Sequence, residues 1–345
     1  MIVTKENFLT SLESVQGGLS PKQTTEQSDC YIFLNGEVIT YNEEVCCRCP
    51  SGLGSTIKGA VRSKELLEII KKIKDEELQA SQEENSIIFY GKNWEYSACM
   101  EEVLFDYSLI ETPEEWSELH EDFCEALALV YSCTSKEFDQ LILTCVNVHP
   151  KWVEACDNRQ MCRWKLPTSV KEPVLISRKG IKNLANLGIK EISETSGWIH
   201  FRGVTELVIS TRRILEDYPS LGGFLRASEG VPLELPKGLM DMADTASVLA
   251  SSDDQSDNNI QVNLSSNKIR IKSQSAAGSF STRRKIKYEG DPIEFFITPK
   301  IFIDLVKNHT NCLISQDTLK IDGGAYTYVA RLRSTLEEEK EKEDE

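Results

Sequence analysis

Three groups of basic side chains recur along the chain at a regular interval, and they are the residues best suited to contact a charged ligand. Each group belongs to a segment with apolar residues at helical spacing, so its cations lie off the apolar stripe of a predicted helix. The groups are Lys71, Lys72 and Lys74, then Arg178, Lys179 and Lys182, then Lys300 and Lys307. Such cations could contact phosphates without reading a base sequence. Solvent-facing helix surfaces are also often rich in lysine, so an ordinary exposed face explains the pattern equally well.

Residues suited to catalysis or metal binding form no recognisable motif. The four histidines (His120, His149, His200 and His309) lie in no metal or nucleophile motif, and Gly52-Leu53-Gly54 lacks the lysine of a phosphate-binding loop. The eleven cysteines have neither the paired spacing of a zinc site nor a disulfide framework. We therefore predict reduced cysteines used as small apolar fillers, no cofactor, no metal and no catalytic activity.

The bulk composition excludes several classes of protein. With 345 residues, 40% hydrophobic and 27% charged, the chain is typical of a globular protein of two or three domains. No apolar run approaches the roughly 18 residues that a membrane helix requires, and the N-terminus has no basic-then-apolar leader. These features predict a cytoplasmic protein without a membrane partner. The net charge of −16 argues against a simple nucleic-acid binder, so any DNA contact must use a local basic surface.

The elements that position the basic groups are three copies of a strand that leads into a capped helix. In the clearest copy Thr298 is the predicted N-cap, and Pro299 occupies the first turn, where its missing N–H is not needed. The copies are Gly59–Lys74, Glu172–Leu187 and Tyr288–Asn308, with caps Ser63, Ser177 and Thr298. The caps lie about 115 to 120 residues apart. Because solenoid units span only roughly 20 to 50 residues, this interval predicts three tandem domains.

Each predicted domain has the order helix, strands, helix, strands, which predicts an α+β fold with two helices packed on antiparallel sheet. Asn35-Gly36 between two apolar alternating runs predicts a tight hairpin in the first domain. The predicted domains span residues 1–112, 113–225 and 226–333. Residues 334–345 form an acidic run, predicted to be a disordered tail.

Four phrases resemble the bacterial-type sliding clamp, the β subunit of DNA polymerase III. They are YPSL…FL, LELPKGLMDMADTASVLA, NKIRI and YEGDPIEFFITPKIFIDLVKN. The resemblance covers all three domains, most strongly the third, and is weakest over the first 60 residues, which suggests a clamp carried by a bacteriophage or another mobile replicon. It implies a head-to-tail homodimer that closes a six-domain ring. The helices would then face duplex DNA, and the ring would tether a polymerase and a clamp loader.

The resemblance also implies a pocket between domains 2 and 3 that receives a short apolar peptide of these partners. The matching positions are Cys156, Asp157, Asn158, Arg159, Gln160 and Met161, then Pro219, Leu221, Gly223 and Phe224, then Val329, Ala330 and Arg331. The family's Gly-His-Arg-Leu loop, linker arginine and Met-Pro-Met ending are all replaced here, which implies a different or weakened peptide preference. Alternatively, Met161, Phe224 and Val329 are plain core residues.

For the dimer contact, the resemblance places Tyr107 near the partner's segment Thr282–Ile286. Glu101 and Glu102 would then face Arg283 and Arg284. Exposed ion pairs contribute little free energy, so edge-strand pairing must also hold the contact. Two other functions are open: a clamp-like platform for transcription or recombination, and a monomeric decoy for clamp-binding proteins.

Overall fold

The computed structural model describes residues 1–104, 106, 109–136, 140–184, 187–203, 206–226, 230–250 and 259–333. The chain divides into two compact units, one formed by residues 1–153 and 166–218 and the other by residues 154–165 and 219 onward. The predicted acidic tail and Tyr107 lie outside the described residues. No described helix is long and apolar enough to cross a membrane.

The same order of elements occurs three times: one strand, a helix, four strands, a second helix and three strands. The first repeat contains β1 (Ile2–Thr4), α1 (Lys5–Ser14), β2 (Cys30–Leu34), β3 (Glu37–Tyr41), β4 (Val45–Pro50), β5 (Gly59–Arg62), α2 (Ser63–Lys72), β6 (Glu77–Glu83), β7 (Ser86–Tyr90) and β8 (Glu95–Cys99). The second contains β9 (Ser117–Glu118), α3 (Phe123–Tyr131), β10 (Cys145–His149), β11 (Trp152–Cys156), β12 (Gln160–Lys165), β13 (Val174–Ser177), α4 (Arg178–Leu184), β14 (Ile189–Glu194), β15 (Trp198–Gly203) and β16 (Val208–Ile214).

A short helix, α5 (Gly222–Leu225), precedes the third repeat. That repeat contains β17 (Val231–Glu234), α6 (Gly238–Ala250), β18 (Ile260–Ser265), β19 (Lys268–Ser275), β20 (Gly278–Lys285), β21 (Ile293–Ile297), α7 (Pro299–Asn308), β22 (Asn311–Ile314), β23 (Thr318–Asp322) and β24 (Tyr326–Arg331).

The strand pairing repeats with the element order. The first repeat has the strand orders β1-β6-β7-β8 and β4-β3-β2-β5, and the third has the corresponding orders β17-β22-β23-β24 and β20-β19-β18-β21. In the second, β14 pairs with β9 and β15, and β15 pairs with β16. This arrangement confirms the predicted α+β fold. The domain boundaries at 112 and 225 stay a prediction, since the two compact units do not follow them.

The two helices of each repeat contact each other, and their apolar faces are buried. In the first repeat, the Phe8 ring of α1 lies 6.2 Å from that of Phe33 in β2 and 5.5 Å from that of Phe89 in β7. One α1 side chain therefore contacts strands of both sheets. Burial of such an aromatic side chain stabilises the fold by about 1.5–3 kcal/mol relative to leaving it exposed.

Several local predictions are confirmed, and others are wrong. Asn35 (φ 53°) and Gly36 (φ 84°) form the predicted hairpin turn with two positive φ angles. The N-cap of α2 is Arg62, not Ser63. The segment Thr282–Ile286, expected at the dimer contact, overlaps β20, which begins four residues earlier at Gly278 and ends at Lys285. Strands β6 and β14 were not predicted. In β6 only Leu78 and Ala80 are buried, so its mostly polar sequence carries a weak strand signal.

All eleven cysteines are free thiols, and nine of them are buried. Burial raises the pKa of Cys30 and of Cys46 to about 12. These thiols are therefore neutral and poorly nucleophilic. The predicted role as small apolar fillers fits the nine buried cysteines and is wrong for Cys99, which is exposed.

His200 in β15 is a buried group whose protonation opposes folding. Its ring shares hydrogen bonds with Ser210 Oγ (2.8 Å) and Thr195 Oγ1 (3.1 Å). Burial lowers its pKa to about 4; the nearby charge of Arg48 also lowers the pKa, while Glu111 opposes the shift. The unfolded chain, with a pKa near 6.5, binds more protons between pH 4 and 6.5, so the free energy of unfolding rises with pH in that window.

We predict that His200→Gln, which keeps hydrogen-bonding groups but cannot be protonated, flattens this pH dependence. The wild-type chain should lose up to about 1.4 kcal/mol more per pH unit than the variant as the pH falls from 6.5 to 4. Urea unfolding at half-unit pH steps measures both slopes. Parallel slopes would contradict the assignment.

Candidate nucleic-acid and partner-binding surfaces

The predicted phosphate-contacting cations lie on or next to the second helix of each repeat. Five of them are exposed and form no ion pair with another described residue. These five are Lys72, Lys74, Lys182, Lys300 and Lys307. Their long side chains can reach phosphates while the apolar sides of α2, α4 and α7 remain packed.

The other three cations have intramolecular partners. Arg178 donates to the carbonyl oxygens of Thr134 (3.0 Å) and Tyr131 (3.3 Å), and its guanidinium lies 4.2 Å from the centre of the Tyr131 ring. Lys71 pairs with Glu13 at 2.8 Å, and Lys179 pairs with a carboxylate oxygen of Glu44. Arg178 therefore fixes α4 against the end of α3, and the basic surface is smaller than the sequence count suggests.

The charge is unevenly distributed among the helices. Helices α3 and α6 contain no lysine or arginine. Helix α4 is seven residues long, and three of these residues are cations while none is a carboxylate. Helices α2 and α7, in contrast, also contain acidic residues. Among the helices that the structure describes, α4 thus has the highest net positive charge, and Lys182 is an exposed cation on it.

The three segments of the predicted partner-peptide site are brought together in the second unit. Strands β12 and β24 pair with Met161 opposite Val329 and Gln160 opposite Ala330, and the Arg331 amide donates to the Arg159 carbonyl at 2.8 Å. Helix α5, which contains Gly223 and Phe224 of the remaining segment, contacts β24. Of the predicted positions, Cys156, Leu221, Val329 and Ala330 are buried, Asp157, Arg159, Gln160 and Met161 are half-buried, and Asn158, Pro219, Gly223, Phe224 and Arg331 are exposed.

These exposures decide between a core role and a surface role for the apolar members. Val329 is 5% exposed and belongs to the core. Phe224 is 64% exposed, far more than an aromatic side chain of a packed core. Met161 is half-buried between these extremes. Helix α5 therefore exposes the apolar side chain of Phe224 to solvent, next to β24, whose residue Val329 is packed in the core.

Asp157 holds the loop before β12, a role that the sequence did not reveal. Its Oδ1 accepts hydrogen bonds from the amides of Arg159 and Gln160, both at 2.7 Å, and burial raises its pKa. Arg159 Nη1 in turn donates to Thr298 Oγ1 at 2.9 Å. The Thr298 hydroxyl thus contacts this loop and makes no capping hydrogen bond to α7.

The loop before β4 in the first repeat has the same geometry. Asn42 Oδ1 accepts hydrogen bonds from the amides of Glu44 (3.3 Å) and Val45 (2.9 Å). Here the side chain of Ser177, which precedes α4 as Thr298 precedes α7, donates to Glu44 Oε2 at 3.0 Å. The same loop conformation therefore occurs in both repeats, with Glu44 in the first repeat at the position that Arg159 occupies in the second.

The four described residues of the predicted dimer contact are exposed, and one of them already has a partner. Glu101 pairs with Arg62 of the same chain at 3.2 Å. Glu102 and the β20 residues Arg283 and Arg284 are exposed.

No protein-family model and no curated protein sequence matches the chain. Its structure does resemble solved bacterial structures over nearly its whole length. The Bacillus subtilis DNA polymerase sliding clamp has a TM-score of 0.80 and 15% identity, covering 97% of this chain and 98% of that one. The chain has the sliding-clamp fold.

Two further sliding-clamp structures agree. The Thermotoga maritima DNA polymerase III beta subunit has a TM-score of 0.81 and 14% identity, covering 96% of this chain and 98% of that one. The Pseudomonas aeruginosa sliding clamp bound to griselimycin has a TM-score of 0.81 and 13% identity, covering 97% and 99%. At identities of 13–15%, these likenesses establish the sliding-clamp fold alone.

We predict that Asp157→Asn is tolerated and that Asp157→Ala is not, because Asn42 performs the same role in the first repeat. Loss of both loop hydrogen bonds in Asp157→Ala should lower the free energy of unfolding by about 1–3 kcal/mol. Denaturant unfolding of the two variants measures the difference. Equal destabilisation of both would show that the carboxylate, and not the loop geometry, is what matters.

Proposed function

We propose that this chain is a DNA sliding clamp, a non-catalytic ring that encircles duplex DNA without sequence specificity and tethers a polymerase. The observation that carries the proposal is the strand pairing between consecutive repeats, which occurs at both internal junctions. The corresponding edges of β8 and β20 pair with no other described strand. The sliding-clamp fold over 96–97% of the chain supports it.

The junctions between repeats use equivalent strands. The last strand of the second repeat, β16, pairs with β4 of the first, and the last strand of the third, β24, pairs with β12 of the second. The two strands left over are β8 and β20, and neither pairs along its outer edge with another described strand. Exposed edges of this kind are templates for association. Pairing β8 of one chain with β20 of another gives a head-to-tail homodimer, which closes a ring if both contacts form.

The internal junctions also supply a register. The residue three positions before the second helix is paired in each repeat: Ala60 with Glu101, Leu175 with Ile214, and Phe296 with Arg333. Six residues before these partners lie the equivalent positions Glu95, Val208 and Thr327. At the two internal junctions Val208 lies opposite Arg48, and Thr327 lies opposite Arg163.

The position in β20 that corresponds to Arg48 follows from the sheet ladders. From Ala60 the ladder runs through Ile32 and Ile39 to Arg48. The same steps from Phe296 run through Gln261 and Lys272 to Ser281. The transferred register therefore pairs Glu95 with Ser281 of the partner subunit, Tyr96 with the partner's Phe280, and Ser97 with the partner's Ser279.

The side chains suit this register. At the internal junctions the pairs equivalent to Tyr96 and Phe280 are Ile209 with Cys47 and Tyr328 with Cys162, and all four residues are buried. Tyr96 and Phe280 are half-buried in the single chain, and pairing would cover both. A contacting aromatic pair contributes about 0.5–1.5 kcal/mol beyond its buried area.

The same register revises the expected ion pairs. Glu95 would lie diagonally from Arg283 of the partner subunit, within reach of long side chains. Glu101 instead keeps Arg62 of its own chain. We therefore propose Glu95 as the partner of Arg283.

Contact with DNA would use the exposed lysines of α2, α4 and α7. On a chain of net charge −16, a few mobile lysines give weak, screened contact with phosphates and no base recognition. Such contact permits sliding, and retention then depends on ring closure. The protein would act with its DNA in the cytoplasm; a bacteriophage source stays a prediction.

Polymerase and clamp-loader peptides would bind beside α5, β12 and β24. The exposed Phe224 and the half-buried Met161 supply apolar contacts, and griselimycin binding by the Pseudomonas clamp is consistent with a ligand site on this fold. A platform for transcription or recombination would use the same ring. A monomeric decoy would not use the β8 and β20 edges, so assembly separates it from the proposed clamp.

We predict that Ser97→Cys with Ser279→Cys forms an intermolecular disulfide on mild oxidation. Directly opposed residues of antiparallel strands have Cα atoms about 4.5–5.5 Å apart, which is within disulfide range. Non-reducing electrophoresis should show a covalent dimer. Light scattering of the wild-type chain should give about twice its 39.0 kDa mass. Because Cys99 is exposed near this edge, Cys99→Ser is the background.

The matched control is Ser97→Cys with Ser281→Cys in the same background. This pair is diagonal in the transferred register, about 7–8 Å apart, and should not cross-link. Equal cross-linking of both pairs would contradict the register. A stable 39.0 kDa monomer at micromolar concentration would contradict the ring.

We predict that the cross-linked ring is held topologically on DNA. When Ser97→Cys with Ser279→Cys is oxidised in the presence of a nicked circular plasmid, protein should remain on the circle through a wash of about 1 M salt, which screens phosphate contacts. Linearising the plasmid should release it. Retention on linear and circular DNA alike would indicate ordinary binding and contradict the clamp.

A further inference from the structure

A cavity of about 350 Å³ lies at the junction of the first and second repeats, within the first compact unit. Leu141, Thr144 and Ile214 contribute to its wall, and Leu141 is 50% exposed. The end of β16, the loop before β4, the start of α4 and the segment before β10 meet around it. The proposed clamp function assigns no role to this cavity.

The cavity corresponds in position to the partner surface of the second unit. By the junction register, Glu44 corresponds to Arg159, and Arg212 corresponds to Arg331. Glu44 and Arg159 each form a hydrogen bond with the hydroxyl group of the residue that precedes the second helix of a repeat. Ser177 donates to Glu44 at 3.0 Å, and Arg159 donates to Thr298 at 2.9 Å. The two junctions thus present the same backbone frame with different side-chain chemistry.

The charges around the cavity favour an acidic ligand. Four cations and one carboxylate line it: Lys136, Arg178, Lys179, Arg212 and Glu44. Lys179 is paired with Glu44, whereas Arg178 and Arg212 donate to neutral backbone carbonyl oxygens and keep their charge. A local excess of positive charge therefore occurs on a chain whose net charge is −16. The apolar wall beside the cations favours a ligand that combines an apolar side chain with a carboxylate.

The volume limits the size of the ligand. Small-ligand pockets span roughly 300–1,000 Å³, so this cavity holds a few side chains and not a folded domain or a DNA duplex. A short segment of a partner protein fits that limit, since its backbone can lie across the junction while its side chains enter the cavity.

We propose that the junction of the first two repeats carries a second peptide-binding site. Its ligand is a short extended segment with one or two large apolar side chains next to carboxylates. Leu141 and Ile214 contact the apolar side chains, and Lys136 and Arg212 attract the carboxylates. A chain with both sites binds two partner segments of different charge, one at each internal junction. The site does not depend on DNA encirclement.

The test is a fluorescence-anisotropy titration of the full-length chain into the fluorescein-labelled peptide SLFDE-amide. Two matched peptides separate the contributions: SLFNQ removes the charge, and SAADE removes the large apolar side chains. Each should bind about tenfold more weakly, a loss of about 1.4 kcal/mol. Saturable binding of SLFDE at sub-millimolar concentration is the expected result, and its absence overturns the proposal.

Three exposed substitutions locate the bound peptide. Leu141→Ser changes the cavity wall, Lys136→Glu reverses one charge at its edge, and Phe224→Ala removes the exposed aromatic side chain of the other junction. SLFDE affinity should fall about tenfold in the first two variants and stay unchanged in Phe224→Ala. A loss in Phe224→Ala as large as in the cavity variants, or no loss in either cavity variant, overturns the proposal.

Discussion

Pairing of strand edges is the constraint on which this molecule depends. Each repeat ends its sheets in strands whose outer N–H and C=O groups need partners. Between repeats, β16 pairs with β4 and β24 pairs with β12, so the junctions are made of backbone hydrogen bonds and alternate buried side chains. The same rule leaves β8 and β20 as the edges that a second copy can satisfy. The proposed assembly therefore follows from backbone geometry, and the sliding-clamp fold is shared with solved structures of only 13–15% identity.

Electrostatics divides the chain into an acidic body and a small basic surface. Of the cations on the second helices, Arg178 is used to fix α4 and Lys179 is paired with Glu44. What remains is a set of exposed lysines on flexible stems: Lys72, Lys74, Lys182, Lys300 and Lys307. Such a surface binds phosphates weakly and is readily screened by salt. In the proposed clamp, weak contact combined with topological closure would permit movement along DNA, whereas strong local binding would hold the ring in place.

The two internal junctions show how one frame acquires different chemistry. Asn42 and Asp157 close the same loop, and both loops hold a hydroxyl that precedes a second helix. The first junction has Glu44 where the second has Arg159, so the two junctions present different charged groups to a ligand while the loop backbone is the same. The second junction also exposes Phe224, whereas the first has the cavity.

The sequence by itself determined the local features: the Asn35-Gly36 turn, α7 with its first-turn proline, the threefold repeat and the α+β class. These depend on residues close in the chain, where turn geometry and periodicity act directly. The polar strands β6 and β14, the hydrogen bond from Arg178 to Thr134 and the register of β16 on β4 were decided by the tertiary structure. Those features depend on partners tens to more than a hundred residues away, and only packing shows whether a lysine or arginine faces solvent or a neighbouring carbonyl.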